Sequence, residues 1–307
     1  MNYTLHQLEI FLKVSDLKSV TKASEALFLT QPAVSIQLKK FQDQFNIPLF
    51  EVVGRKIYIT DFGEEIALAA KKILGEVEAI NYKALSYQGE LAGKIKIAIV
   101  STAKYVMPYF ISEFINANRG VDLNMDVTNK SNVLQALENN EVDFAMVSTI
   151  PKNLKVNRIE LMKNKLYMVG PKDYKLKTKY LSISEIQKLP LIYREQGSAT
   201  RLAMETFIES RKVSTYKTME LTSNEALKQA VISGLGFSIM PVIGIKNALA
   251  SNELQIIPVK GLPIITNWSL IWLNTKKLSP VAEKLLEYIN TNKSAIIEEH
   301  FGYLKNY

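Results

Sequence analysis

Cysteine is absent from this chain of 307 residues, and histidine occurs only twice, at opposite ends, as His6 and His300. Without cysteine the chain cannot form a disulfide framework or a thiolate metal site. No Gly-x-Gly-x-x-Gly or phosphate-loop motif follows a predicted strand, and no metal-ligand or catalytic cluster stands out. The sequence therefore predicts no metal, no cofactor and no catalytic residue.

Long apolar runs are also missing. No stretch approaches the roughly 18 apolar residues that a membrane-spanning helix needs. The N-terminal stretch MNYTLHQLEIF lacks the basic start and apolar core of a secretory signal. These absences predict a cytoplasmic protein with no membrane partner. With 47% hydrophobic and 22% charged residues, the chain is typical of a globular protein and long enough for two or three domains.

The formal net charge of +8 suits a polyanionic partner. The excess is spread along the chain, because residues 1–60 hold seven basic and five acidic residues. Charge alone therefore does not locate a nucleic-acid-binding domain, and local patterns must do so.

The N-terminal patterns predict three short helices. Thr4 and Gln7 form a capping box before the first helix. Ser19 caps a second helix with an apolar inner face. Thr30 caps a third, whose first turn tolerates Pro32. The spacing of the apolar residues gives each helix one buried face.

A small hairpin is predicted next, where Gly54 precedes alternating basic and β-branched or aromatic residues. Three helices and a wing form a winged helix-turn-helix, which places its third helix in the major groove of DNA. Polar side chains there hydrogen-bond base edges, apolar ones contact thymine methyl groups, and basic ones hold phosphates. The predicted DNA-binding residues are Ser19, Thr21, Thr30, Gln31, Pro32, Ala33, Ser35, Ile36, Lys40, Arg55 and Lys56.

A long helix is predicted over residues 61–89. Its apolar residues recur at heptad spacing, which favours a dimerising linker helix. A helix that packs on the core of its own domain is the alternative, although such a helix usually shows a wider apolar stripe. The seam residues are Ile66, Ala70, Ile73, Val77, Ile80 and Ala84.

Residues 90–307 alternate predicted strands and helices, as in an α/β domain with a largely parallel sheet. This alternation of strands and helices favours two lobes. One is formed by residues 94–164 and 267–307, and the other by residues 165–266. A capping box is predicted at Thr222 and Glu225. The predicted strands are 95–100, 123–127, 143–147, 166–169, 191–193, 217–221, 236–240 and 268–273; the predicted helices are 108–116, 132–139, 201–211, 224–233 and 280–290.

Hydroxyl and basic residues recur after the predicted strands of both lobes. Ser101 and Thr102 follow the first strand where a helix begins, and Arg201 closes a Gly-Ser-Ala-Thr-Arg stretch that can bind a carboxylate or phosphate. Simple helix capping is the alternative for such residues. Two facing sites predict a small anionic effector. The predicted effector-binding residues are Ser101, Thr102, Lys104, Asn129, Ser148, Thr149, Gly197, Ser198, Thr200, Arg201 and Asn224.

Several fixed spacings carry a family resemblance. They comprise Leu8-x-x-Phe11-x-x-Val14, SVTKASEAL at 19–27, TQPAVS at 30–35, Leu49-Phe50 and Thr60-x-x-Gly63-Glu64. This pattern closely resembles the LysR-type transcriptional regulators. Within that family the chain is similar to regulators of Calvin-cycle (RuBisCO) operons. The stretches that carry this second similarity are 100–105, 197–201, 223–231, 234–236 and 278–280.

The resemblance implies the whole architecture and its partners. It implies a winged helix-turn-helix over residues 1–60, a linker-helix homodimer often assembled into a homotetramer, and an effector cleft between two periplasmic-binding-protein-like (type 2) lobes. The expected partners are double-stranded promoter DNA, a small anionic metabolite and RNA polymerase. A small-molecule binding protein or an enzyme built on the two lobes is the alternative reading. An exported binding protein should carry a signal sequence, and an enzyme should show a catalytic cluster.

Four positions depart from the family pattern. Val52 stands where an arginine is usual, which removes a phosphate contact. Ile36 replaces a common arginine, so a guanine contact there gives way to a thymine-methyl contact. Phe41-Gln42 replaces the common Leu-Glu and affects packing and not DNA reading.

Overall fold

The computed structural model describes residues 2–54, 56–87, 90–176, 178–211 and 217–307. Arg55, one of the predicted DNA-binding residues, lies outside these ranges. The chain divides into two compact units, Met1–Glu90 and Leu91–Tyr307. Within the described ranges no helix combines the length and apolar character that a membrane crossing requires.

The first unit is a three-helix domain with a two-stranded wing and a long helix. The capping box at Thr4 and the caps at Ser19 and Thr30 form as predicted, because each side chain accepts a hydrogen bond from a backbone N–H of the first turn. The elements are α1 Leu5–Leu17, α2 Val20–Ala26, α3 Gln31–Gln42, β1 Phe50–Val53, β2 Lys56–Ile59 and α4 Asp61–Tyr87. The wing is an antiparallel pair in which Phe50 faces Ile59 and Val53 faces Lys56.

Aromatic packing holds these helices together. Phe11 and Phe41 are fully buried, with ring centroids 5.2 Å apart, and Val34 and Leu38 place the inner face of α3 against them. Ala26, which the helical spacing predicts to face inward, is exposed instead, because α2 already ends there.

The first half of α4 closes this core. Ala67 and Ala70 are buried, and Ile66 and Leu74 pack against the same cluster. The prediction that the heptad seam begins at Ile66 is therefore wrong for its first two positions, because the chain's own helix-turn-helix covers them. From Ile73 onward the seam residues are exposed or half-buried.

The second unit is built on one large mixed sheet with helices on its faces. Its elements up to the middle of the unit are β3 Ala92–Val100, α5 Met107–Ala117, β4 Gly120–Thr128, α6 Lys130–Glu138, β5 Phe144–Val147, β6 Val156–Pro171 and α7 Ile183–Ile186. The remaining elements are β7 Pro190–Arg194, α8 Ala199–Glu209, β8 Lys217–Leu221, α9 Asn224–Ile232, β9 Ser238–Pro241, α10 Lys246–Ala250, β10 Leu254–Ile256, β11 Ile264–Leu273 and α11 Pro280–Phe301. Short 3-10 turns occur at Ala103–Tyr105, Val242–Gly244 and Gly302–Asn306.

In the described part of the unit the sheet has seven strands in the order β10-β6-β11-β5-β3-β4, with β9 also paired to β6. Strands β4, β3 and β5 are parallel, whereas β11, β6, β9 and β10 pair antiparallel. The predicted largely parallel sheet is therefore only half right. A separate parallel pair, β7 and β8, belongs to the second lobe.

Strands β6 and β11 run through both lobes. Val156 of β6 pairs with Leu273 of β11 at one end, and Leu166 of β6 pairs with Ile264 of β11 at the other. The predicted strands at 166–169 and 268–273 are each only part of these long strands, because polar residues near the crossing, such as Lys163 and Asn267, interrupt the apolar pattern. Separate hydrophobic clusters lie on the two sides of the crossing, one around Trp268 and the other around Met168.

Two helix boundaries also differ from the prediction. Ser223, and not Thr222, caps α9, because its side chain accepts from the Ala226 N–H. Helix α11 continues past residue 290, since Ile296 and Phe301 extend its buried face to the core of the first lobe.

Candidate functional site

Helix α3 presents a polar outer face with apolar patches. Gln31, Pro32, Ser35 and Lys40 are exposed, and Ile36 is 55% exposed. Because the opposite face carries the buried residues, α3 itself positions these side chains for contact with an external partner.

The other predicted DNA-binding residues of the first unit occupy supporting positions. Ser19 and Thr30 use their hydroxyls to accept from the N–H groups of Lys22 and Ala33, at 3.3 and 3.4 Å. Ala33 itself is half-buried, and Thr21 and Lys56 are exposed. The hydroxyl oxygens of Ser19 and Thr30 are therefore engaged as caps.

The sequence patterns missed the exposure of Phe28, which lies in the turn between α2 and α3. Its ring is 96% exposed, and its φ of 55° lies in the left-handed region. Val52 and Tyr58 add exposed apolar surface on the wing. The local signal was weak, because an apolar dipeptide between two helices normally predicts burial.

A buried arginine forms the centre of a polar cluster where the two lobes of the second unit meet. Arg194 ends β7 and is only 2% exposed. Its Nε and Nη2 bond the Glu195 carboxylate at 2.7 and 2.8 Å, and Nη2 also donates to Ser101 Oγ at 3.2 Å. Asn224 Nδ2 donates to the same Ser101 hydroxyl at 3.3 Å. Ser101 thus joins the end of β3 to two elements of the other lobe.

Two polar atoms of this cluster lack partners. Nη1 of Arg194 and Oδ1 of Asn224 are buried, and neither has a hydrogen-bond partner among the described residues. Leaving a buried donor on a cation unpaired costs free energy. An anion that accepts from Nη1 would remove this cost. Arg194 was not among the predicted residues, although an arginine directly after an apolar strand was the available signal.

Arg201, the arginine that was predicted, already has protein partners. It bonds Glu205 at 2.6 Å, the carboxylate of Glu220, and the backbone oxygen of Arg194 at 2.9 Å. Hydrogen bonding to Glu205 is the main cause that raises the pKa of the Arg201 guanidinium. Two carboxylates therefore already pair with Arg201, and its predicted contact with the effector stays a prediction. Its bond to the Arg194 carbonyl also ties it to the neighbouring arginine.

A cavity of about 300 Å³ lies beside the Arg194 cluster. It is lined by Lys130 and Ser131 from one lobe and by Gly197, Ser198 and Arg201 from the other. Burial lowers the pKa of the Lys130 ammonium. Gly197 has a φ of +81°, and a Cβ there would lie 2.6 Å from Ser131 Oγ, so glycine permits this approach of the lobes.

The other predicted effector residues are divided between the cleft and structural positions. Thr102 is buried without capping the 3-10 turn, and Lys104 is exposed. Asn129 caps α6, accepting from the Asn132 N–H at 3.0 Å. The helical turn that begins after Ser101 and Thr102 is the 3-10 turn Ala103–Tyr105, and helix α5 begins only at Met107. Ser148, Ser198 and Thr200 are buried, and Thr149 is exposed.

A winged helix-turn-helix unit together with a two-lobed α/β unit defines a class of DNA-binding regulators. Comparison with known proteins makes the assignment specific. Residues 5–64 match the bacterial regulatory helix-turn-helix proteins of the lysR family, and residues 88–293 match the LysR substrate binding domain. The chain therefore belongs to the LysR family of transcriptional regulators, and the predicted resemblance is confirmed.

Two curated relatives agree with the predicted subgroup. The chain is 35% identical over 296 residues to the HTH-type transcriptional activator CmpR of Synechocystis sp. PCC 6803, covering 96% of this chain and 97% of the relative. It is 33% identical over 290 residues to the RuBisCO operon transcriptional regulator of Allochromatium vinosum, covering 94% and 96%. The similarity to Calvin-cycle regulators is thereby confirmed.

Solved structures agree on the fold. The regulatory domain of Synechocystis PCC6803 CcmR in complex with 2-PG has 31% identity and a TM-score of 0.62, covering 66% of this chain and 97% of that chain. Full-length CbnR complexed with its target DNA has a TM-score of 0.70 at 14% identity, covering 94% and 99%. At that low identity the second match shows the fold alone.

Proposed function

We propose that this LysR-family regulator binds a small phosphorylated carboxylate in the cleft at Arg194, and that occupancy changes its hold on promoter DNA. The observation that carries the proposal is the pair of partnerless buried atoms, Arg194 Nη1 and Asn224 Oδ1. An oxyanion accepts from the guanidinium, and a protonated or hydroxyl group of the ligand can donate to the amide oxygen. The 2-PG held by the CcmR domain, 2-phosphoglycolate, has this anionic chemistry.

The cleft can convert binding into a change of arrangement. Ser101 belongs to one lobe, whereas Arg194 and Asn224 belong to the other, so a ligand that contacts all three favours the closed lobes. Calorimetric titration of the full chain with 2-phosphoglycolate tests the proposal, together with gel shifts on the DNA upstream of its own gene. Binding with an altered gel-shift affinity is expected. Selective binding of neutral ligands only would contradict the proposal.

We propose that α3 reads the DNA sequence through Gln31, Ser35 and Ile36, while Lys40 and Lys56 hold phosphates. Ser35→Arg adds a guanidinium group to an exposed position of α3. One bidentate contact between a guanidinium and guanine favours that base over the others by about 1–3 kcal/mol. We expect this variant to change which promoter fragments bind, in gel shifts with a randomised half-site library. An equal loss on cognate and random DNA would count against a reading role.

Lys40→Ala is the matched comparison. Removing one phosphate contact should weaken binding to all sequences alike and reduce the slope of log affinity against log salt by about 1. Gel shifts at several salt concentrations measure this slope. A sequence-dependent loss would reassign Lys40 to base reading.

We propose that the C-terminal half of α4 pairs with the same helix of a second copy, and that such dimers assemble further into tetramers that contact RNA polymerase. The apolar residues Ile73 and Ile80 are 40% and 64% exposed on one seam with Val77 and Ala84. Exposed apolar residues at heptad spacing are typical of a coiled-coil seam.

Ile80→Glu places a charge in this seam, and we expect it to shift the protein toward monomer in analytical ultracentrifugation. Promoter affinity should fall with it, because two half-sites are no longer bound together. Lys72→Glu, on the exposed outer side of α4, is the control and should leave the mass unchanged. A dimeric Ile80→Glu variant would place the interface elsewhere.

A further inference from the structure

A second cavity in the second unit, of about 430 Å³, is separate from the cleft at Arg194. One side comes from the 3-10 turn Ala103–Tyr105, the start of α5 and the end of α11, and the other from α9, the turn Val242–Gly244 and α10. The cavity therefore lies between the same two lobes but is lined by a different set of side chains.

The charge of this cavity is strongly positive. Lys104, Lys228 and Lys246 line it together with one carboxylate, Glu225. Glu225 bonds Lys228 at 2.8 Å, whereas no described carboxylate lies within 4.0 Å of the ammonium of Lys104 or Lys246. Two of the three lysine ammonium groups therefore have no described carboxylate in direct contact, although Glu225 also attracts the Lys104 ammonium at longer range.

The walls between these cations are aromatic and carry hydroxyl groups. Tyr105, Tyr109 and Tyr303 line the cavity, and the Lys246 ammonium lies 3.7 Å from the ring centroid of Tyr303. Burial raises the pKa of the Tyr105 hydroxyl, so it stays a neutral hydrogen-bond donor at physiological pH. Ammonium and phenol donors around a hollow of this size suit several phosphate oxygens and not an apolar ligand.

We infer that this cavity is a second anion site, which takes a phosphate-bearing polyanion and acts alongside the cleft. Lysines are point-charge phosphate binders, and a ligand that draws Lys104 toward Lys228 and Lys246 ties one lobe to the other. The turn that carries Lys104 follows Ser101 directly, so occupancy of the cavity and closure of the cleft share one short segment. The two ligands should therefore change each other's affinity by the same factor.

Calorimetric titration of the full chain with inorganic pyrophosphate and, separately, with 2-phosphoglycolate tests this inference. Wild type should bind pyrophosphate, and Lys104→Gln/Lys246→Gln should weaken that binding at least tenfold, with 2-phosphoglycolate affinity changed less than twofold. Arg194→Gln should instead weaken 2-phosphoglycolate binding at least tenfold and change pyrophosphate affinity less than twofold. Lys155→Gln/Lys277→Gln removes the same charge from two exposed lysines that line neither site, and it should leave both affinities unchanged.

Three results would overturn the inference. They are an absence of pyrophosphate binding to wild type, unchanged binding by the Lys104→Gln/Lys246→Gln variant, and loss of pyrophosphate binding in Arg194→Gln alone. The last result would mean that the cleft is the anion site for both probes. If pyrophosphate binds independently of Arg194 while 2-phosphoglycolate does not bind at all, the second site stands and the proposed effector chemistry of the cleft fails.

Discussion

Replacing Arg194 with glutamine should abolish the response to 2-phosphoglycolate while the chain still binds DNA. The buried guanidinium holds Glu195 and Ser101 in place, and its Nη1 has no hydrogen-bond partner among the described residues. Truncating one partner of a buried, hydrogen-bonded charge pair costs about 2–5 kcal/mol. Since about 1.4 kcal/mol is tenfold in affinity, we expect a loss of at least about 30-fold in calorimetry.

Two comparison variants separate the charge of Arg194 from its shape. Arg194→Lys keeps the positive charge but loses the paired donors of the guanidinium group, so it should retain only part of the wild-type affinity for 2-phosphoglycolate. Ser101→Ala removes the hydroxyl that accepts from both Arg194 and Asn224 and should produce a smaller loss. DNA affinity without effector should stay within twofold of wild type in each case. Full 2-phosphoglycolate affinity in Arg194→Gln would refute the cleft assignment.

Replacing Gly63 with alanine should destabilise the DNA-binding unit more than any surface change in it. A Cβ at this position would lie 1.9 Å from the Leu49 carbonyl oxygen and 2.8 Å from Ile59 Cγ2. That carbonyl accepts from the Thr60 N–H at 3.1 Å, and Thr60 Oγ1 caps the Gly63 N–H at 3.0 Å. Relieving the clash must break this junction of wing and helix, at a cost of about 3 kcal/mol.

Gly75 on the same helix α4 provides the matched control. Nothing lies within 4 Å of a Cβ at that position. Gly75→Ala should therefore stabilise the helix by about 0.5–1 kcal/mol, which is the ordinary gain in helix propensity. Hydrogen exchange of residues 2–54 measures both effects. Tryptophan fluorescence would not report on this unit, because Trp268 and Trp272 belong to the second unit. Equal protection in the two variants would mean that Gly63 is not needed at this junction.

The helix boundaries of the first unit could be read from the sequence because their signals are local. A capping box at Thr4 and Gln7, or a hydroxyl at Ser19 or Thr30, acts within four residues of itself. The exposed face of α3 followed from the same reasoning, since the buried positions of α3 determine which side remains exposed. The family resemblance depends on these same short-range patterns.

Long strands and shared helix faces were harder to predict. Strand β6 spans 16 residues, but a lysine and an asparagine at the crossing between lobes break its apolar pattern. Helix α4 has a heptad seam along much of its length, yet its first turns are covered by the chain's own core. Spacing alone cannot distinguish a partner helix from the same domain, because both bury the same side chains.

The sequence by itself determined the winged helix-turn-helix, the two-lobed α/β unit, the family, and the anionic character of the expected ligand. The tertiary structure alone decided which arginine keeps an unpartnered donor where the two lobes meet. Arg201 stood in a motif, but the fold brings Glu205 and Glu220 to it. Arg194 had no motif, yet the fold buries it against Ser101 from the other lobe. Both arginines have carboxylate partners, but Arg194 keeps one buried N–H without a partner among the described residues and contacts a side chain far away along the chain.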